Sequence, residues 1–511
     1  MTALNTHDGN DATSPRARPD FVVPLIERGH VVVDDEPVAF GARGRGVFHA
    51  PSPSRHFGRL ALRSPGDLAD LHAVPIAEIV DVLVELGNNL SPRNNGHVQE
   101  AMAAAAIANE YPESMLRQSY AALPFSFSAE ALWEMVDTSI GREYLDGWVA
   151  RTHYDGREIR TRAFGARCVH IPAGNGALVA AITIIRSAIT KGDGIIKAPS
   201  NDPLTAAALC RTLIDIAPDH PLTRHLTVVY WKGGDAAVEG HLYDPRRVEK
   251  IVAWGGVAAL RHVGTYIQPG LELIALDPKR SATFIGREAF ANRDALADVA
   301  RRLALDVGVA NQYACANARV AYVASGTGPD GVADLVALGR HIAAELHALP
   351  PHISTPVRHV DHGLRDNIDA LRLADDWYTV LDVAAHDPAG PRGGGAVIVS
   401  HLPEPVDFAD SLAGRVLNLV PVDDPLDALG RVNGFTQTIG VYPDSLKQTL
   451  RDIAPLYGAQ RLTSLGYACH VNAAMPQDAI EPVRRMCKWI VDDHCDPASV
   501  IMLGDVPELA L

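Results

Sequence analysis

A single cysteine in the stretch "DVGVANQYACANARVAYV", residues 306–323, is the first candidate for chemistry in this chain. Cys315 follows the end of a helical pattern and precedes a run of β-branched and aromatic residues. A thiol with a pKa of about 8.5 is only a few per cent ionised at neutral pH, yet its thiolate is a strong nucleophile that forms thioesters. Because a lone cysteine is more often a small buried hydrophobe, the rest of the sequence has to separate the two roles.

The other five cysteines favour packing over chemistry. Cys168 and Cys210 lie within apolar strand and helix patterns and are predicted to be core residues. A late cluster of possible metal ligands consists of Cys469, His470, Cys487, His494 and Cys495. Its spacing fits no common zinc finger, so we expect ordinary packing and no metal. Since no pair shows C-x-x-C spacing, free thiols in a reducing cytoplasm are expected.

Three loops that follow short apolar runs contain residues suited to binding an acyl group or a nucleotide. In "HIPAGNGALVAAI", Asn175 presents an amide that could donate to a developing oxyanion. In "GIIKAPSNDPLTAA", Lys197 ends a strand, where it could meet phosphate or ribose oxygens. In "KIVAWGGVAAL", Gly255 and Gly256 open a helix whose N–H groups could approach a pyrophosphate. A tight turn or a solvated cation explains each loop alone, but three in one sheet favour a ligand site.

The helix after Lys197 is predicted to start with Asp202 as its N-cap and Pro203 as its first residue. Neither G-x-G-x-x-G in its usual place nor G-x-x-x-x-G-K-[ST] is present. A nucleotide would therefore have to be held in another way.

Apolar periodicity predicts the elements that must position these loops. The amino-terminal part should be largely helical, because "PIAEIVDVLVELGNNL" has helical spacing and "EAMAAAAIANEY" is rich in alanine. Residues 166–278 alternate strands with helices, and the strands are "ARCVHI", "GIIKA", "LTVVYW", "KIVAWGG" and "LELIALD". A second α/β stretch follows, with a helix over residues 294–307 and the strands "ARVAYVAS" and "AVIVS". The predicted fold class is α/β, with ligands at the carboxyl ends of parallel strands.

Composition limits the partners of the protein. The 511 residues have a formal net charge of -15 and no basic run, which argues against nucleic acid or an anionic membrane as the main partner. Charges interrupt each apolar stretch before the roughly 20 residues that a membrane span requires. Residues 1–20 are polar and lack the apolar core of a signal peptide, so they predict a disordered tail. We expect a soluble, cytoplasmic protein.

The order of the motifs resembles the aldehyde dehydrogenase superfamily: Pro-Ala-Gly-Asn, Lys-x-Pro-Ser after a strand, Gly-Gly opening a helix, and then a cysteine. More closely, "IPAGNGALVAAITIIRSAITKGDGIIKAPSNDPLTAAAL", "VVYW", "IVAWGG", "DPKRS" and "QYAC" are similar to the bacterial acyl-CoA reductase family, whose best-known member supplies fatty aldehyde for bioluminescence. The likeness covers residues 75–492 and is most specific over residues 166–319. It implies an aldehyde dehydrogenase-like fold, with a parallel-sheet dinucleotide-binding domain and a second α/β catalytic domain.

The resemblance also implies a role for individual residues. Cys315 would accept the acyl group, and Asn175 with the backbone N–H of Cys315 would form the oxyanion hole. Lys197 and Ser200 would face the adenosine ribose and its 2′-phosphate. The remaining cofactor contacts would be Gly255 and Gly256 at the pyrophosphate and Leu276 near the nicotinamide.

Departures from the superfamily pattern indicate the direction of the reaction. Oxidising members carry "LELGGK", whose glutamate activates water, and aligning Lys279 with its lysine puts Ala275 at the glutamate position. Without that base the acyl-enzyme is protected from hydrolysis, which favours reduction. A second glutamate, which holds the nicotinamide ribose, is replaced by Gly414 or Arg415. The family's usual His-Asp-Gly reads Gln-Asp-Ala at residues 477–479.

The resemblance therefore predicts NADPH-dependent reduction of an acyl-CoA, a fatty acyl thioester in particular, to an aldehyde through an acyl-cysteine. NADPH is expected because NAD-preferring relatives carry a glutamate where Ser200 stands, three residues after the strand-end lysine. One alternative is an NAD(P)-dependent oxidising or semialdehyde-forming aldehyde dehydrogenase with the same cysteine. Another is a catalytically silent scaffold that assembles with an acyl-transferring protein partner. The substrate would be an acyl-CoA or acyl-protein thioester, and a homo-oligomer is expected by analogy.

The predicted organisation has four parts. A disordered tail over residues 1–20 precedes the amino-terminal helices and the dinucleotide-binding domain over residues 21–270. A catalytic domain with the nucleophilic cysteine covers residues 271–470. Residues 471–511 return to the cofactor domain or to an oligomer interface.

Overall fold

The described part of the chain in this computed structural model covers residues 20–42, 46–154, 157–357, 360–383, 394–495 and 498. The tail predicted over residues 1–20 lies outside the described residues, except for Asp20, which starts a strand. Most of the predicted carboxyl-terminal segment beyond Cys495 also lies outside them.

Two seven-stranded sheets organise the described residues. The first has five parallel strands followed by two antiparallel ones at its edge. Its strands, in spatial order, are Glu272–Leu276, Lys250–Trp254, Arg167–Ile171, Asp193–Lys197, Leu226–Val229, Leu25–Glu27 and His30–Val32. The five parallel strands are those that the sequence predicts. Because Ile195 and Ile196 are both fully buried on opposite faces, the sheet must be covered on both sides.

Helices follow the parallel strands of the first sheet, as expected for α/β alternation. They are Ala177–Ile189, Thr205–Ile216, Pro221–Arg224, Ala236–Leu242 and Val257–Gly264. The start of the second helix differs from the prediction, because it begins at Thr205 rather than Pro203. Asp202 still accepts a hydrogen bond from the backbone N–H of Thr205, so it satisfies a free donor of the first turn.

The amino-terminal part is helical only from residue 53 onwards, and the sequence prediction is wrong before that point. The described helices are Phe57–Leu60, Ala69–Ala73, Ile76–Asn88, Gly96–Ala108, Glu113–Ala121, Ala129–Ser139 and Arg142–Asp146. Upstream of them, Asp20–Val22, Val47–Ala50 and Val38–Gly41 form a small sheet, and two further strands join the edge of the first sheet. These strands have three to four residues, too few for a two-residue repeat to stand out.

The second sheet has six parallel strands and one antiparallel edge strand. In spatial order its strands are Tyr378–Asp382, Ala396–Ser400, Val416–Pro421, Ala318–Val323, Arg280–Ile285, Thr436–Tyr442 and Arg461–Ser464. The helices of this unit are Arg293–Gly308, Pro329–Ala348, His362–Leu373, Asp444–Leu450 and Ala454–Tyr457, whereas Pro482–Arg485 lies at the first sheet, where Arg485 donates to Glu272. The helix predicted over residues 294–307 is confirmed. Ala396–Ser400 and Val416–Pro421 are buried throughout, as central strands must be.

A three-stranded antiparallel sheet links distant parts of the sequence. Its middle strand, Glu158–Gly165, pairs with Val149–Thr152 on one side and with Cys487–His494 on the other. The first sheet ends at Leu276 and the second begins at Arg280. We therefore propose the division between the two α/β units in that segment, a few residues beyond the boundary at 270. In the ranges that the structure describes, no helix is long and apolar enough to cross a membrane.

Candidate active site

A cavity of about 550 Å³ lies beyond the carboxyl ends of two neighbouring strands of the first sheet. Its lining consists of Ala39, Phe40, Gly41, Lys197, Ser200, Tyr230, Lys232 and Gly233. Lys197 and Ser200, which the sequence predicts to act together, therefore face the same space. The cavity also receives Lys232, which sequence reasoning missed because a lysine after a strand and before two glycines carries no distinct signal.

The Lys197 side chain is held against aromatic rings. Its Nζ lies 5.8 Å from the centroid of Tyr230 and 5.4 Å from that of Trp231. Burial lowers the pKa of Lys197, and the carboxylate of Glu239 opposes that shift. A cation that is partly desolvated in this way gains from an anionic ligand.

Asp202 does not line this cavity in the described residues. It is buried, and it accepts hydrogen bonds from the side chain and the backbone N–H of Thr205. The hydroxyl oxygen of Tyr120 lies 2.5 Å from Thr205 Oγ1, within hydrogen-bond distance. Burial raises the pKa of the Asp202 carboxyl to about 6.

The loop that carries Asn175 packs closely against the loop after Lys197. A Cβ on Gly174 would lie 2.0 Å from Asn201 Oδ1 and 2.9 Å from Pro199 Cβ, so a larger residue there would displace the loop after Lys197. Tyr111 Oη donates to the backbone oxygen of Asn175 at 3.0 Å, which fixes the turn from its other side. The Asn175 Nδ2 donates in turn to the carbonyl oxygen of Tyr313 at 3.5 Å, two residues before Cys315.

Gly255, Gly256 and Leu276 lie at the carboxyl ends of two other strands of the first sheet, Lys250–Trp254 and Glu272–Leu276. Trp254 pairs in register with Leu276, and Gly255 follows Trp254 directly. Nothing lies within 4 Å of a Cβ placed on Gly256, which is the N-cap of the helix Val257–Gly264. The helix therefore starts beside open space, while the Leu276 side chain is buried. The cofactor roles of these three residues remain predictions.

The loop before Cys315 has an unusual backbone. Ala310, Asn311 and Gln312 all have positive φ, at 52°, 52° and 64°, a conformation that residues other than glycine rarely adopt. Buried side chains hold it. Gln312 Nε2 donates to the oxygens of Ala318 and Val416 at 2.8 and 2.7 Å. Asn311 Oδ1 accepts from the backbone N–H of residue 355 at 2.8 Å.

The residues on either side of Cys315 are fixed as well. Asn317 Oδ1 accepts from the backbone N–H of Ala314 at 2.9 Å, and its Nδ2 donates to Cys469 Sγ at 3.2 Å. Ser281 Oγ donates to the carbonyl oxygen of Cys315 at 2.8 Å. The thiol is thus carried on a rigid loop between the two α/β units.

The environment of the Cys315 sulfur contains two residues that sequence reasoning did not select. Burial raises the pKa of the thiol, and a hydrogen bond from the Gln437 side chain opposes that shift. Gln437 Nε2 also donates to Asp478 Oδ1 at 2.7 Å. Gln437 lies in a β-strand pattern that does not indicate a site. Asp478 belongs to the Gln-Asp-Ala segment at residues 477–479, which differs from the family's usual His-Asp-Gly.

The two positions expected near the nicotinamide ribose contain no carboxylate. Gly414 has a φ of 69°, and Arg415 is buried with its guanidinium donating to the backbone oxygen of Leu346. Burial lowers the pKa of Arg415 to about 10. In the described residues, no group of three or more possible metal ligands is close enough to hold an ion.

Comparison with solved structures defines the class of fold. Lactaldehyde dehydrogenase from Escherichia coli aligns with a TM-score of 0.69 at 14% identity, covering 93% of this chain and 100% of that one. NADP-dependent glyceraldehyde-3-phosphate dehydrogenase from Bacillus halodurans C-125, complexed with NADP, aligns with a TM-score of 0.68 at 15% identity, covering 93% and 99%. The protein therefore has an aldehyde dehydrogenase fold, as its motifs predict.

Sequence comparison then identifies the family. The family model described as acyl-CoA reductase (LuxC) matches residues 71–489. The chain is 28% identical over 367 residues to a long-chain acyl-protein thioester reductase of Photorhabdus luminescens, covering 71% of this chain and 70% of the relative. The corresponding protein of Vibrio harveyi is 24% identical over 366 residues, covering 71% of each. This chain belongs to the acyl-CoA reductase (LuxC) family and is an enzyme.

Proposed function

We propose that the enzyme reduces a long-chain acyl thioester to the aldehyde, with Cys315 as the acyl acceptor and NADPH as the reductant. The main support is the contact between the two α/β units, where the Asn175 amide lies against the loop that carries Cys315. The amide of one unit and the thiol of the other then act on the same carbonyl group.

The chain's own residues account for the acyl transfer. The Cys315 sulfur attacks the thioester carbonyl carbon, and Asn175 Nδ2 and the Cys315 N–H donate to the oxyanion that develops. The carbon–sulfur bond of the substrate breaks, its thiol leaves with a proton, and the acyl group remains on Cys315. A bound nicotinamide cofactor supplies hydride to that acyl group. The bond between the acyl carbon and the Cys315 sulfur then breaks, the aldehyde leaves, and the thiolate takes a proton from solvent.

Two observations favour reduction over hydrolysis. Ala275, at the position of the hydrolytic glutamate, lies in a strand and has no group that could activate water. The carboxylate that acts on Cys315 is that of Asp478, and its Oδ1 is engaged by Gln437. The alanine in place of the hydrolytic glutamate thus favours reduction of an acyl group on Cys315.

The cavity by Lys197 fits a 2′-phosphorylated cofactor. Two lysines and the Ser200 hydroxyl face it, and none of the described lining residues is acidic. A phosphate placed there gains charge-assisted hydrogen bonds, whereas an unphosphorylated ribose leaves Lys197 and Lys232 without an anion. Phe40 and Tyr230 add aromatic surface, with ring centroids 4.7 Å apart.

The relatives named above act on long-chain acyl groups carried by a protein, and we propose a long-chain acyl thioester as the substrate of this enzyme. Coenzyme A and a protein thiol are two carriers of that same thioester. Both present the same carbonyl group to Cys315, so the test includes each.

The first experiment detects the covalent intermediate. The full chain is incubated with palmitoyl-CoA, or with a protein carrying a palmitoyl thioester, without cofactor, and intact mass is measured. One acyl adduct is expected, and it should be absent from Cys315→Ser. Cys469→Ser is the matched control, because Cys469 is a nearby thiol that binds Asn317. An adduct that persists in Cys315→Ser removes Cys315 from the mechanism.

The second experiment establishes the direction and the cofactor. NADPH and NADH oxidation are followed with each thioester, and the product is identified as aldehyde or fatty acid. Aldehyde formed with NADPH supports the proposal. Conversion of an aldehyde to the acid with NADP⁺, without reduction of thioesters, would instead establish the oxidising alternative.

A further inference from the structure

Cys315 lies in a tight turn that one residue, Asn317, closes with both its backbone and its side chain. The backbone N–H of Asn317 donates to the carbonyl oxygen of Ala314 at 3.2 Å, and Asn317 Oδ1 accepts from the backbone N–H of Ala314 at 2.9 Å. Cys315 is thus the first of the two central residues of a four-residue turn. Asn317 is fully buried, whereas Cys315 is only partly buried. The turn therefore presents the thiol while its closing residue stays inside the protein.

The nitrogen of the Asn317 amide anchors this turn to the second α/β unit. It lies at hydrogen-bond distance, 3.0, 3.3 and 3.0 Å, from three carbonyl oxygens at the carboxyl end of the helix Arg293–Gly308, which belong to Asp306, Val307 and Val309. Carbonyl groups only accept hydrogen bonds, and the N–H of Ala314 only donates, so the two ends of the amide cannot be exchanged. The turn is therefore fixed relative to that helix.

The planarity of the peptide bond then fixes the direction of two neighbouring groups. In a trans peptide the carbonyl oxygen and the following N–H point in opposite directions. Since the carbonyl oxygen of Ala314 points at Asn317, the N–H of Cys315 points away from Asn317. Since the N–H of Ala314 also points at Asn317, the carbonyl oxygen of Tyr313 points away from it too. Both groups therefore lie on the side of Ala314 that is opposite Asn317.

These two groups serve the two donors of the proposed oxyanion hole. The N–H of Cys315 is itself one donor, and it makes no hydrogen bond to another residue within the described ranges. The carbonyl oxygen of Tyr313 accepts from Asn175 Nδ2 at 3.5 Å, so it orients the amide that is the other donor. An NH₂ group has two hydrogens, and the second one remains for the substrate oxygen.

We propose that Asn317 is the positioning residue of the oxyanion hole. It aims the N–H of Cys315 directly, and it aims the Asn175 amide through the carbonyl oxygen of Tyr313. The proposal rests on the proposed function, in which Cys315 accepts the acyl group.

The test compares two reactions of the same thiol in the full chain without cofactor. Acylation by palmitoyl-CoA develops an oxyanion, whereas alkylation by iodoacetamide displaces iodide from a saturated carbon and needs only the thiolate. Asn317→Ala should slow acylation by about 10²-fold and change alkylation of Cys315 by less than about threefold. Intact mass follows acylation, and peptide mass mapping follows alkylation of Cys315. A role confined to the stability or the exposure of the loop would change both rates together.

Asn418→Ala is the matched control. Asn418 is a fully buried amide of the same unit, and its Oδ1 accepts from the N–H of Val406 at 3.0 Å while its Nδ2 donates to the oxygen of Ile398 at 3.1 Å. Its removal should lower the unfolding midpoint, as in Asn317→Ala, but keep the ratio of the two rates. If Asn317→Ala does not fold, Asn317→Leu, which fills the same volume, is measured in its place.

Two further variants separate the contacts of Asn317. Asn317→Asp keeps the oxygen that faces Ala314 but loses the NH₂ donor, so it should lose stability and keep the ratio of acylation to alkylation within about threefold of the wild type. Asn317→Ala combined with Asn175→Ala tests the path through Tyr313. Because the amide that Asn317 aims is then absent, Asn317→Ala should slow acylation by a smaller factor in this background than in the wild type.

Each outcome supports or overturns a stated part of the proposal. Equal slowing of acylation and alkylation in Asn317→Ala, or unchanged acylation, would overturn the positioning role, and so would an Asn317→Asp that acylates as slowly as Asn317→Ala. Effects of Asn175→Ala and Asn317→Ala that simply multiply would reject the path through Tyr313. In all these cases the wild type is still acylated on Cys315, and the proposed function stands. Absence of an acyl adduct on Cys315 of the wild type would instead reject the proposed function itself.

Discussion

Replacing Asp202 by asparagine should stabilise the enzyme at neutral pH and leave its affinity for NADPH unchanged. The carboxyl is buried, and its hydrogen-bond donors are the side chain and backbone N–H of Thr205. The oxygen of an asparagine can accept both bonds. The substitution therefore removes a buried charge, while the cost of burying its new NH₂ group subtracts from the gain.

The magnitude follows from the pKa of Asp202, which burial raises from 3.8 to about 6. A folded chain that holds this proton more tightly than the unfolded chain loses stability as pH rises from about 4, and the full cost is present above about 6. Roughly two pKa units at 1.36 kcal/mol each give about 3 kcal/mol at pH 8, and the same linkage gives about 1 kcal/mol at pH 4.5. Asp202→Asn should gain at most these amounts, and the difference of about 2 kcal/mol between the two pH values does not depend on the new NH₂ group.

Urea unfolding of the wild type and the variant at pH 4.5 and pH 8 measures this difference. Asp306, whose pKa burial also raises to about 6, titrates in both proteins and cancels from the comparison. A change in stability that is the same at both pH values would refute the assignment of a buried charge. NADPH affinity measured by titration is the second readout. If Asp202→Asn bound NADPH tenfold more tightly, the carboxylate would have to face the phosphate instead of Thr205.

Three other substitutions test the remaining parts of the site. Asn175→Ala should lower turnover by about 10²-fold with a smaller effect on KM, because an oxyanion donor acts mainly on the transition state; unchanged turnover would leave Asn175 with a turn-forming role only. Ser200→Glu should weaken NADPH by about tenfold more than NADH in direct binding, since a carboxylate repels the 2′-phosphate, and an unmoved ratio would show that the cavity was assigned wrongly. Gly174→Ala places a Cβ 2.0 Å from Asn201 Oδ1 and should impair both turnover and NADPH affinity, whereas an active variant with normal affinity would mean that the two loops move independently.

The parallel strands of the first sheet were predictable because each is a short apolar run bounded by turn residues and followed by a helical pattern. The strands before residue 51 were not, because they have three or four residues and the edge strands gain their stability from pairing with the sheet. The helix after Lys197 started two residues later than its cap signal indicated. Asp202 reaches the N–H of Thr205 from outside the helix, which a fixed cap position does not anticipate.

The residues of the candidate site were also predictable only in part. Lys197 and Ser200 were selected because they lie in one loop that resembles a family motif. In the structure they line one cavity. Lys232 and Gln437 reach their places from other strands, and such convergence depends on sheet order, which local periodicity does not encode. Asp478 was noticed only as a departure from the family pattern. Its contact with Gln437 joins positions 41 residues apart and requires the tertiary fold.

The pairing of Glu158–Gly165 with Cys487–His494 has a consequence for biosynthesis. A ribosome adds about 5 to 20 residues per second, so one edge of the earlier strand stays unpaired for at least about 15 seconds while the intervening chain is made. During that time its N–H and C=O groups can pair with other extended segments. The nascent chain must therefore be kept apart from its neighbours. We expect the yield of the full chain in a cell to depend more strongly on chaperones than the yield of either α/β unit would if it were made alone.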